Sequence, residues 1–79
     1  MLLEIVMPKY GPNMLEGVLV RWLKRVGDRV EKENELAEIE TEKVTAVVQV
    51  PQSGVLAEIL VAEGDEVPVG TPIARIEVA

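Results

Sequence analysis

Apolar and polar residues alternate along this chain in short runs, and none of them holds a helical period. The alternation predicts strands over 3–7, 17–23, 36–40, 45–50, 54–61 and 73–77, with two short ones at 29–30 and 66–67. Turn chemistry separates them. Gly11-Pro12-Asn13 reads as a loop, Gly27-Asp28 and Gly64-Asp65 as matching turns, and Gly70-Thr71-Pro72 as the entry to the last strand. In each Gly-Asp pair the glycine supplies backbone freedom and the aspartate can accept from a neighbouring amide. Alternation falters between Leu19 and Trp22, which predicts a bulge or twist. Valine occurs 14 times and phenylalanine never, so a core assembled here is aliphatic and β-branched.

The chain contains itself twice. At a constant offset of 37, residues 17–40 overlie 54–77 with ten identities in 24 positions: Gly17, Val18, Leu19, Leu23, Gly27, Asp28, Val30, Ala37, Ile39 and Glu40. Val6-Met7-Pro8 corresponds to Gln49-Val50-Pro51 once about six extra residues, within Lys9 to Leu15, are allowed in the first half. Neither half can bury its apolar face alone. Two such halves packed face to face share one core about an approximate twofold axis. The expectation is one all-β domain over residues 1–79, a flattened eight-stranded barrel or sandwich of two four-stranded sheets. The turn joining the halves then lies at one end and the two chain ends at the other.

That joining turn is Glu40-Thr41-Glu42-Lys43-Val44-Thr45, and its central pair is Glu42-Lys43. Two-residue hairpins favour Asn-Gly or Gly-X because the preferred turns need positive φ. Glu-Lys instead suggests a type I turn, which most residues can adopt. The side chains have been kept where glycine would serve the backbone better, and this makes Lys43 the candidate working residue. A lysine among acids on a turn is ordinarily solvated surface charge; the position of this one, midway between two repeats, sets it apart.

Composition narrows the chemistry. The chain has no cysteine and no histidine, so it has no disulfide, no Ser-His or Cys-His pair and no ordinary zinc ligands. The net charge of −6 disfavours nucleic acid and anionic membranes as partners. No apolar run is long enough to span a bilayer, and the first residues do not read as a signal peptide. A small soluble intracellular module is the expectation.

Several motifs fall together in order: Met7-Pro8-Lys9 with Gly11 and Met14, Glu16-Gly17, Trp22, Gly27-Asp28-x-Val30, and Leu36-x-Glu38-Ile39-Glu40-Thr41-Glu42-Lys43-Val44, followed by Gly54, Gly64 and Val69-Gly70. In these the chain resembles the lipoyl domains of the dihydrolipoyl acyltransferases in 2-oxo acid dehydrogenase complexes. The resemblance implies lipoic acid amide-linked to Lys43, with Glu42 and Val44 read by the lipoate ligase or lipoyltransferase. The family's usual turn is Asp-Lys-Ala; Glu42-Lys43-Val44 keeps an acid before the lysine and a small apolar residue after it. The resemblance further implies a swinging-arm carrier that is no enzyme by itself. A thiamine-diphosphate 2-oxo acid decarboxylase loads the arm, the acyltransferase core passes the acyl group to coenzyme A, and dihydrolipoyl dehydrogenase reoxidises the dithiol. Tethering raises the effective concentration at each site. It also implies a monomeric isolated domain, cut from a longer acyltransferase and working in the cytoplasm, or in the mitochondrial matrix of a eukaryote. The opening motif with Met14 points toward pyruvate or acetoin as the source of the acyl group.

By the same resemblance the loop from Lys9 to Leu15 sits beside the lysine turn as a specificity surface, with Tyr10, Asn13 and Met14 as partner contacts alongside Glu40 and Thr41. Most of the acidic run Glu31, Glu33, Glu35, Glu38, Glu40 and Glu42 reads as solvated edge charge. Trp22 reads as packing. Two alternatives remain: a biotin carboxyl carrier, whose lysine methionine flanks on both sides, and an unmodified β interaction module.

Overall fold

A computed structural model describes residues 1–42 and 44–78; Lys43 and Ala79 lie outside the described residues. Eight strands form: β1 (Leu2–Val6), β2 (Glu16–Trp22), β3 (Arg29–Val30), β4 (Glu35–Glu40), β5 (Thr45–Gln49), β6 (Gly54–Ile59), β7 (Glu66–Pro68) and β8 (Pro72–Glu77). Every expected strand is present, with ends displaced by at most two residues. Two antiparallel four-stranded sheets result, ordered β1-β8-β6-β3 and β5-β4-β2-β7. The sheets face each other as a sandwich and do not close into a hydrogen-bonded barrel.

The repeat is a symmetry of the fold. Adding 37 to the strands of one half, or 43 before the inserted loop, turns the first sheet order into the second. Paired registers follow: Val30 opposite Gly54 in one sheet answers Val67 opposite Gly17 in the other. The expected bulge lies between Leu19 and Arg21, and its counterpart between Leu56 and Glu58. A second pair of register shifts lies at Glu35/Ala37 and opposite Ile5/Val6. These bulges explain why the adjacent residues Leu36 and Ala37, and likewise Ile73 and Ala74, are all buried. A regular strand would turn one of each pair outward.

Between the sheets lies an aliphatic core that includes Met7, Leu19, Leu36, Ile39, Leu56, Ile73 and Ile76, each without solvent exposure. No polar or charged residue is buried among the described residues. At ~1.5–3 kcal/mol for each fully buried aliphatic side chain, this core carries a chain too short to lean on anything else. Trp22 packs against its margin, half-buried, and its indole N–H donates to the Val61 carbonyl at 3.0 Å. The matching turns close alike: Asp28 Oδ2 accepts from the Arg25 amide at 2.8 Å, and Asp65 Oδ2 from the Ala62 amide at 2.9 Å.

One consequence of the topology bears on function. Of the seven connections, only β4 to β5 joins two strands that share a ladder; each of the others crosses from one sheet to its partner. The connection from β4 to β5 is therefore the only simple hairpin among the described residues. The chain ends meet elsewhere, where the Met1 ammonium donates to Glu77 Oε1 at 3.0 Å and to the Val78 carbonyl at 3.2 Å. β1 runs from there to Met7, which accepts from the Gly70 amide at 3.0 Å; the Val69 amide in turn donates to the Leu15 carbonyl beside the start of β2. The chain ends and the β4–β5 turn therefore lie at separate places in the fold, with the length of β1 between them.

Candidate functional site

Strands β4 and β5 run in register out to Glu40 opposite Thr45. Beyond that pair Thr41 and Val44 continue the ladder, the Thr41 amide donating to the Val44 carbonyl at 2.8 Å. The Thr41 side chain adds to it. Its Oγ1 accepts from the Val44 amide at 3.1 Å and donates to the Val44 carbonyl at 3.1 Å. A threonine hydroxyl reaching three residues forward is local turn chemistry. Lys43, with the turn type expected for it, lies outside the described residues. Its neighbours Glu42 and Val44 are both exposed, Val44 at 49%.

The inserted loop packs beside this turn. Tyr10 reaches across to β5, where its hydroxyl donates to the Val47 carbonyl at 3.0 Å. Partial burial pushes the Tyr10 hydroxyl pKa up. The loop also bonds to itself: the Tyr10 amide donates to Met14 Sδ at 3.2 Å, and the Met14 amide to the Gly11 carbonyl at 3.2 Å. Met14 lies over Gly17, where an added Cβ would come within 3.1 Å of Met14 Cε. Glycine at 17 thus leaves room for the methionine that seats the loop.

Loop and turn are the two walls of one cleft. Tyr10, Asn13 and Met14 line it from the loop; Glu40, Thr41, Glu42 and Val44 line it from the turn. The described residues expected as turn flanks or partner contacts therefore meet in one place. Two carboxylates that the sequence reading did not select, Glu16 and Glu66, join them. They come together because β2 pairs with β7, setting Glu16 opposite Pro68 and Val18 opposite Glu66. The only signal available in the sequence was their outward phase on two strands. A hydrogen bond with Glu66 and repulsion from its charge, with a smaller repulsion from Glu42, push the Glu16 pKa up. No lysine or arginine is among the described residues lining the cleft. Twofold symmetry sharpens the point, because the counterpart of Glu66 in the other half is Arg29.

Among the described residues there is no cluster of acids that could hold a metal ion, and no helix long and apolar enough to cross a membrane. What the site offers is a hairpin with exposed flanks and a lysine in its sequence, beside an acidic and partly apolar cleft.

Comparison with known proteins agrees. The family model described as "Biotin-requiring enzyme", which covers biotinyl and lipoyl attachment domains, matches residues 3–76, and the chain belongs to that family. Within it, the chain is similar to the lipoyl-bearing members. It is 45% identical over 76 residues to the dihydrolipoyllysine-residue acetyltransferase component of the acetoin cleaving system of Bacillus subtilis, covering 96% of this chain and 19% of that protein. To the acetyltransferase component of the pyruvate dehydrogenase complex of Mycobacterium tuberculosis it is 43% identical, covering 95% of this chain and 14% of the other. The succinyltransferase component of the 2-oxoglutarate dehydrogenase complex of Staphylococcus saprophyticus is 44% identical over 92% of this chain and 17% of its own length. The chain spans less than a fifth of each of these relatives. In structure it matches the lipoyl domain of the 2-oxoglutarate dehydrogenase complex from Azotobacter vinelandii, with a TM-score of 0.78, 31% identity and 95% coverage of both chains.

Proposed function

We propose that Lys43 carries lipoic acid in amide linkage and that the chain is the mobile carrier domain of a 2-oxo acid dehydrogenase complex. The observation that carries this reading is the β4–β5 hairpin, the only one among the described residues, whose flanks Glu42 and Val44 are exposed. The site suits the group: the described flanks Glu42 and Val44 are exposed, and the cysteine-free chain needs an outside source of sulfur. When bound, the group supplies a disulfide that takes up an acyl group with two electrons and yields that acyl group to a coenzyme A thiol.

The chain's own residues do three things. They pair β4 with β5 out to Thr41 and Val44, keep the flanks Glu42 and Val44 exposed, and present the cleft to whatever docks. Because the described lining of the cleft is acidic and has no cation, it favours partners with basic groups around an apolar contact. Leu15, 81% exposed on the rim, and Val44 supply the apolar part. The thiamine-diphosphate decarboxylase that loads the arm is the partner assigned to this surface, with the acyltransferase core and dihydrolipoyl dehydrogenase following in turn. The relatives serve acetoin, pyruvate and 2-oxoglutarate systems at nearly equal identity, so identity does not choose among these acids.

Expressing the chain with lipoate and a competent ligase, then measuring intact mass and thiol labelling after reduction, tests the proposal. The parent has no thiol of its own. We expect one lipoyl addition, labelling that maps to position 43, and neither in Lys43→Ala. Capture by streptavidin would replace lipoate with biotin. An unchanged mass with a ligase that modifies a control domain would leave only an interaction module.

A further inference from the structure

We infer that Thr41 is a positioning residue: its hydroxyl holds the hairpin in the shape that the modifying enzyme recognises. Thr41 is expected from the sequence as a partner contact, but its hydroxyl turns into the hairpin, onto Val44. This inference rests on the reading of Lys43 as the attachment site.

Two observations support it independently. First, the hydroxyl makes two contacts to Val44, one to the amide and one to the carbonyl, each at 3.1 Å. They span the two central residues of a turn that has no glycine, asparagine or proline to set its backbone. The ordinary sources of turn rigidity are missing, and the threonine hydroxyl stands in for them.

Second, the fold contains its own control. Under the twofold, Thr41 corresponds to Val78 and Val44 to Met1. The Val78 amide donates to the Met1 carbonyl at 2.8 Å, the same ladder bond at the same length as Thr41 to Val44. Valine has the shape of threonine without its hydroxyl. Ladder pairing at this position therefore needs no hydroxyl, and the fold accepts valine there. At the chain ends the added contacts come from the Met1 ammonium, to Glu77 Oε1 and the Val78 carbonyl; at the junction with a lysine in its sequence they come from a side-chain hydroxyl. A role in folding does not account for that difference, whereas shaping of the presented turn does.

The test compares the parent chain with Thr41→Val and Thr41→Ser, using a purified lipoate ligase with lipoate and ATP and following mass over time. We expect Thr41→Val to melt within a few degrees of the parent. Its kcat/KM for modification should fall about tenfold, most of it through KM, because fewer molecules hold the competent turn at any moment. Thr41→Ser should recover the parent rate within about twofold. Amide exchange at Val44 should quicken in Thr41→Val and not in Thr41→Ser. An unaltered rate in Thr41→Val overturns the inference. So does a Thr41→Ser as poor as Thr41→Val, which would assign the role to the methyl group, or a global loss of fold in Thr41→Val. A parent chain that is never modified at Lys43 overturns the attachment reading itself, an outcome separate from all of these.

Discussion

Glu33 and Gly70 occupy the same position in the two halves of the fold, and both are left-handed, with φ of 73° and 89°. Their amides make matching bonds, Glu33 to the Val50 carbonyl at 2.7 Å and Gly70 to the Met7 carbonyl at 3.0 Å. The backbone demands the same conformation in both places, yet only one place has the residue suited to it.

Stability should therefore respond oppositely at the two sites. Glu33→Gly relieves a left-handed strain of roughly 1–2 kcal/mol and gives back ~0.5–1 kcal/mol in unfolded-chain entropy. A net gain of about 0.5 kcal/mol is expected, whereas Gly70→Ala should lose about as much or more. Urea denaturation of the two variants, read as a shift in midpoint at constant slope, checks both signs.

A second pair of equivalent glycines should differ in magnitude. An added Cβ at Gly54 would clash with the Glu77 carbonyl oxygen and come within 3.1 Å of its carbon, so the backbone must move. At Gly17 the neighbours are side-chain ends, Ile39 Cγ2 at 2.9 Å and Met14 Cε at 3.1 Å. Gly54→Ala should cost about 3 kcal/mol or more, and Gly17→Ala nearer 1 kcal/mol, in the range of overpacking. In addition, Gly17→Ala should shift the NMR signals of Tyr10 and Met14, because the loop is seated there.

Two exposed glutamates should give stability opposite pH dependences. The Glu16 pKa is raised by its hydrogen bond with Glu66, so the folded state holds that proton more tightly than the unfolded chain does. Its contribution is present below the ordinary carboxylate range and is lost as pH rises through the raised value. Glu66→Gln should thus raise Tm at pH 7, with a gain that shrinks in acid, while weakening docking of a basic partner. The Glu31 pKa is lowered by its hydrogen bonds from Arg29 and then Ser53, so its contribution is present at neutral pH and fades as pH falls through the lowered value. Glu31→Gln should lower Tm at pH 7 and leave it unchanged in strong acid. Melting curves from pH 2 to 8, a range of about six units spanning the carboxylates, decide both.

Tyr10→Phe removes the one bond described from the loop to the β5 edge and keeps the ring. A loss of ~0.5–1.5 kcal/mol is expected, confined to the loop. Hydrogen exchange should quicken at Met14 and remain as in the parent for the core amides of Leu19 and Leu56.

The sequence was unusually informative about architecture. Eight strands, the bulge after Leu19, the paired aspartate turns and the equivalence of the halves all follow from spacing, because a duplicated chain states its own alignment. Strand ends were less legible. The Leu23 amide still bonds to the Leu36 carbonyl at 2.8 Å beyond the end of β2, and Leu60 to Ile73 at 2.8 Å beyond β6. The alternating pattern continues for as long as single ladder bonds persist, although paired strand has already ended.

By itself, then, the chain's pattern determined the two-layer β fold and the place of Lys43 at the junction of its halves. Apolar period and turn residues act over a few neighbours and can be read one after another. Tertiary structure decided what surrounds that junction: the inserted loop bonded to β5 through Tyr10, the acids Glu16 and Glu66 gathered beside Glu42, and the Thr41 hydroxyl turned inward onto Val44. Glu16 and Glu66 stand fifty residues apart in sequence and become neighbours only when burial of the shared core fixes which strands pair and in what register.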